Sequence, residues 1–209
     1  MAPGTAVDRG ADWRRAARLT RWLAWASLGW MSAEGGIGLW QGLAAGSVAL
    51  SGWALGSVVE GLASLIVIRR FTGGRSLSGT AERRAQRGVA VSFWLITPVI
   101  AAGSVRDLAT GHHPGATVTG ITLTSAALVM MPLLGRAKHK LAATLGSAAT
   151  AGEGTQNYLC AAQAAAVLAG LALTAAWPGD WWTDPAVGLG IAVFSAWEGI
   201  RPWHGDGCC

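Results

Sequence analysis

Charge is what this sequence has least of. Only 13% of its 209 residues are Asp, Glu, Lys or Arg, against roughly 25% in soluble domains, and the mean hydropathy is +0.39. So few charges cannot keep a globule in water, so most of the surface is expected to meet lipid. Cysteine is scarce too, and the three present, two of them terminal, provide no disulfide framework. There is no phosphate-cradling glycine loop, no nucleophile elbow and no HExxH, so no enzyme chemistry is expected. The N-terminal MAPGTAVDRGADWRRAARLTRW lacks a small-residue cleavage site behind a short apolar core. It is expected to be a retained cytoplasmic arm, not a signal peptide.

The rest is apolar segments and glycine. A bilayer core takes about 20 apolar residues per helix, and six stretches qualify: about 19–43, 46–68, 88–105, 117–134, 152–177 and 184–200. Thirty glycines suit helices that pack closely in a membrane. The expected fold is an all-α membrane protein, a bundle of six transmembrane helices. Residues 1–18 form a cytoplasmic arm, 19–201 the transmembrane domain and 202–209 a cytoplasmic tail. Pro98 is expected to kink segment three. No short-period repeat is visible, and the helix pairs show no clear duplication.

Placing the N-terminus inside puts fifteen of the sixteen Lys and Arg on the cytoplasmic side, with Arg106 alone outside. That bias favours six crossings, with both termini in the cytoplasm of a cell's inner (plasma) membrane. It also accounts for the net charge of +5 without nucleic acid as a partner. Trp177, Trp181 and Trp182 stand where an outer aromatic belt belongs.

Segment two, GSVALSGWALGSVVEGLASLIVI, carries Glu60 in its inner half. A charged residue at the bilayer centre costs roughly 2.5–3.5 kcal/mol on insertion scales and normally faces a bundle interior or polar cavity. Ser57 and Gly56 share its helical face. Segment five bears a polar stripe of Glu153, Gln156, Asn157, Cys160 and Gln163, while Glu34, Asp184 and Glu198 lie on segments one and six. With Arg136, Lys138 and Lys140 assigned to the loop after segment four, no Lys or Arg is left in the apolar interior. The carboxylates must then be protonated, hydrogen-bonded between helices or bound to a cation. A cation site between segments two and five is one expectation, and hydrogen-bonded glue between helices is the other.

These stretches resemble a family. GSVALSGWALGSVVEGLASL is similar to the second transmembrane helix of the cation diffusion facilitators, which are metal-efflux transporters. GWMSAEGGIGLWQGLAAGSVAL, VMMPLLGRAKHKLAATLGSAA and WWTDPAVGLGIAV are similar to its helix 1–2, helix 4–5 and helix 6 runs. The resemblance covers roughly residues 18–201. It implies divalent cation efflux in exchange for protons, by a homodimer. It carries the family's metal pairs to Gly56 and Glu60 on segment two, and to Glu153 and Asn157 on segment five. Gly56 has no side chain and Asn157 replaces an acid, so the implied metal ligands are Glu60, Glu153 and Asn157. The cargo would be a divalent ion of the Zn, Mn, Co or Fe class, with no cofactor held permanently. Two carboxylates and an amide form a hard oxygen site, closer to what Mn²⁺ or Mg²⁺ accepts than Zn²⁺. The alternative is a non-transporting membrane scaffold that keeps the fold around a broken site. At about 1.5 Å per residue, Glu153 and Glu60 lie at different depths unless segment five is tilted.

Two weaker features remain. His204, Asp206, Cys208 and Cys209 form a tail of metal-binding residue types, expected to be a disordered terminus. His112 and His113 lie on an outer loop, where a histidine pair is expected to be solvated.

Overall fold

The computed structural model describes residues 6–70, 79–177 and 179–204. Among them the chain forms six α-helices and no strand: α1 (Ala6–Ala45), α2 (Val48–Arg70), α3 (Gly79–Thr110), α4 (Val118–Leu145), α5 (Ala148–Ala176) and α6 (Thr183–His204). Four are long and apolar enough to cross a membrane, over Val48–Arg69, Arg87–Thr110, Val118–Leu145 and Thr150–Ala176. In α1 an arginine-rich first half and Glu34 dilute the apolar run, and α6 carries Asp184 and Glu198 within 22 residues.

Several helices outrun their apolar segments. α1 begins at Ala6, inside the expected arm, and α3 begins at Gly79, inside the expected basic loop. α3 and α4 remain continuous across Pro98 and Pro132. The consequential extension is that of α4. No proline lies between Leu134 and Leu145, and Ala137, Leu141, Ala142 and Ala143 favour a helix enough to outweigh Gly135. The helix stops at Gly146, which adopts the left-handed conformation (φ 59°) that glycine enters without strain. Arg136, Lys138 and Lys140 are therefore helical, and Lys138 is fully buried.

The helices pack in pairs, α1 with α2, α4 with α5 and α3 with α6. The first two pairs are built alike. Each closes on a left-handed glycine followed by a serine that caps the next helix, Gly46-Ser47 and Gly146-Ser147. The register continues along both pairs. A Cβ placed on Gly35 would meet the Ala54 carbonyl at 3.3 Å, and one on Gly135 would meet the Gly154 carbonyl at 2.9 Å. Small residues thus set the same close approach twice. The two hairpins are also inverted. Near the α1–α2 turn, Gly115 just before α4 donates to the Ala45 carbonyl (2.7 Å), while at the opposite end Ser64 of α2 meets Glu153 beside the α4–α5 turn. The two pairs thus share a turn and a close approach at the same spacing, although their sequences show no clear duplication.

The polarity is inside out. Trp22, Trp40, Leu43, Val118 and Val193 point outward, while Glu34, Glu60, Lys138, Glu153 and Asn157 are each at most 2% exposed. Apolar layers flank this polar zone. One is built around Leu50, Trp53, Met131, Ala164 and Val167, and the other around Ala24, Val67 and Ile68.

Candidate cation site

Helical spacing aims the polar groups inward. Ser57, Glu60 and Ser64 recur at three and four residues on α2, and Glu153, Asn157 and Cys160 at four and three on α5, so each set occupies one buried face. In the repeated register of the hairpins, Ser57 and Glu60 answer to Asn157 and Cys160. α1 contributes Glu34, α4 Lys138 and α6 Glu198, all buried.

These groups form two connected levels. On the first, Glu34 accepts hydrogen bonds from Ser57 Oγ (2.6 Å), Cys160 Sγ (3.4 Å) and the Trp30 indole. Glu60 lies beside this carboxylate, within the field of Glu34 and Glu198 and in hydrogen-bonding reach of Cys160. Its Oε2 is buried and has no hydrogen-bond partner among the described residues. Such an atom is costly unless something else serves it.

On the second level Glu153 Oε1 accepts from Ser64 Oγ (2.6 Å) and pairs with Lys138 Nζ at 2.8 Å. The same ammonium donates to Asn157 Oδ1 at 3.2 Å, and Asn157 Nδ2 reaches the Met131 sulfur at 3.6 Å. Glu153 Oε2 is buried without a hydrogen-bond partner among the described residues. Lys138 joins the two levels, because its charge also acts on Glu60.

This overturns the expectation that the interior holds no Lys or Arg. The sequence places Lys138 in a cytoplasmic loop because charge normally ends a membrane span. It is instead buried, because α4 continues and Glu153 awaits it one helix away. Glu153 and Asn157 do come together, but around an ammonium. Glu60 stands a turn away, opposite Glu34, Cys160 and Glu198. The depth difference between Glu60 and Glu153 persists, since Glu153 meets Ser64, four residues beyond Glu60 on α2. Among the described residues no three His, Cys, Asp or Glu side chains are arranged to hold a metal ion. At Gly56 a Cβ would meet only Gln163 Oε1, at 3.7 Å, so a side chain could be accommodated there.

Other flagged residues lie elsewhere. Asp184 caps α2 from the start of α6, accepting from Ser47 Oγ (2.5 Å) and from the amides of Val48 (2.9 Å) and Ala49 (3.3 Å). A carboxylate there serves amides that have no partner within the helix. His112 and His113 are exposed, and the His113 ring lies 6.1 Å from that of Trp181. Asp206, Cys208, Cys209 and the His204 side chain fall outside the described residues.

No protein-family model matches the chain, and no curated protein matches it.

Proposed function

We propose that the protein is a six-crossing membrane transporter that exports divalent cations in exchange for protons, with both termini in the cytoplasm. One observation carries this reading. Carboxylates from four helices, Glu34, Glu60, Glu153 and Glu198, converge with Lys138 inside a bundle whose outer face is apolar. Ionisable groups buried at membrane depth mark ion or proton paths. Their position between two inverted hairpins supports alternating access, because inverted repeats can exchange conformations around a central site. In this reading Glu60 and Glu153 bind the ion, Asn157 adds an oxygen and Glu34 lies within reach. An ion that binds carboxylates displaces their protons, which couples the two flows. The hard oxygen set suits Mn²⁺.

The test is uptake of Mn²⁺ into proteoliposomes under an imposed proton gradient. Glu60→Gln and Glu153→Gln should each lower uptake roughly tenfold or more, the usual scale for losing a ligand or its support. Uptake and pH dependence unchanged in both variants would sink the proposal.

A second reading is a non-transporting scaffold with the same fold. It is favoured by Lys138, which fills the space between Glu153 and Asn157. Under that reading Mn²⁺ would not raise the thermal stability of the purified protein.

A further inference from the structure

We propose that Lys138 is a tethered competitor for the transported cation. Its ammonium occupies the seat between Glu153 and Asn157 when no ion is bound, and a divalent ion enters by displacing it. The inference rests on the transport reading above and concerns how that site is kept and released.

Four observations support it. The ammonium lies 2.8 Å from Glu153 Oε1 and 3.2 Å from Asn157 Oδ1, two of the three groups that would bind the cargo. It is fully buried, so it has no water to fall back on. Among the described residues its coordination is incomplete. An ammonium has three donors, and two oxygen partners are seen for this one. Finally, the carboxylates keep capacity to spare, since Glu153 Oε2 and Glu60 Oε2 are both buried without a hydrogen-bond partner among the described residues. A small divalent ion can draw on such oxygens, while a lysine at the end of its stem reaches only those in front of it. The long, flexible side chain also gives the displaced charge somewhere to go, since α4 ends in the exposed Lys140 and Thr144.

A permanent counter-ion and a tethered competitor make opposite predictions. A counter-ion stays when metal arrives, and removing it weakens the site. A competitor leaves when metal arrives, and removing it tightens the site. The sequence supplies its own control, because Lys138 and Lys140 are the only two lysines in the chain, one buried and one exposed.

The experiment uses the full chain in detergent with Mn²⁺ as the probe. Each lysine is labelled with an amine-acetylating reagent and quantified by mass spectrometry. Saturating Mn²⁺ should raise labelling of Lys138 about fivefold or more, as expected when a ligand shifts a buried group to a released state, with Lys140 unchanged. In parallel, Lys138→Gln should bind Mn²⁺ about tenfold tighter than the wild type, and Glu153→Gln in that background should remove the gain. The labelling arm needs no variant, so it decides the matter even where a substitution prevents folding. If Mn²⁺ binds and is carried but Lys138 labelling does not change, the competitor is refuted and the transport reading stands. Equal or weaker Mn²⁺ binding by folded Lys138→Gln also refutes it. If the wild type neither binds nor carries Mn²⁺, both readings fall together.

Discussion

At Lys138 the energetics are lopsided. Two charges brought out of water repay their desolvation only while they face each other, and breaking a buried pair by removing one partner costs about 3–5 kcal/mol. Lys138→Met should therefore destabilise the protein by about that amount in thermal unfolding without metal, because Glu153 would stay buried in an apolar bundle without the partner it now faces. Adding Glu153→Gln should recover most of the loss, and Mn²⁺ should stabilise Lys138→Met more than it stabilises the wild type. A double variant as unstable as Lys138→Met would show that the pair is not what holds this level together. Glu60 differs in kind. Among the described residues no cation is bonded to it, and it lies in the fields of Glu198, Glu34 and Lys138 and beside Cys160. Its amide variant should keep the fold and lose function. This residue was legible from sequence because a single carboxylate in an apolar run is conspicuous. Lys138 was not, since a basic residue just beyond an apolar stretch is the ordinary mark of a span's end.

Between elements, the decisive feature is how closely the paired helices approach. At Gly135 a Cβ would stand 2.9 Å from the Gly154 carbonyl, and at Gly56 it would meet nothing nearer than 3.7 Å. Gly135→Leu should therefore force α4 from α5 and cost about 1–3 kcal/mol, the range for overpacking a well-packed core. Gly56→Ala should be close to neutral. Thermal unfolding of the two variants side by side checks this, and equal effects would refute the close approach. The helix ends follow the same local logic. Gly46-Ser47 and Gly146-Ser147 can be read as a stop and a cap from residue type alone. The cap on α2 is completed by Asp184, from the far end of the chain, and no local pattern announces that.

For the whole molecule, the arrangement of charge predicts orientation. With the N-terminus in the cytoplasm, Thr110 at the end of α3 should face outward, and Thr144 in the last turn of α4 should face inward. The three native cysteines can be replaced by serine and one cysteine introduced at either position. A membrane-impermeant thiol reagent should then label Thr110→Cys in intact cells, and Thr144→Cys only after the membrane is opened. The reverse pattern would invert the topology and turn the proposed export into uptake. The inverted relation of the two hairpins is also a property of this scale, since it appears only when the ends of α2, α4 and α5 are seen together.

By itself the sequence determined the helical, apolar character of this protein, with segments long enough to cross a membrane, and the residues costliest to bury, among them Glu34, Glu60, Glu153 and Glu198. Apolar run length and the cost of charge in hydrocarbon are local quantities, and both can be read along the chain. The tertiary structure decided which of those groups meet. It carried α4 past its apolar segment, buried Lys138 between Glu153 and Asn157, and set Glu60 against Glu34 and Cys160. The pairing depends on the rotation, depth and close approach of helices far apart in sequence. These are fixed by packing between glycine-lined faces, which no single segment contains.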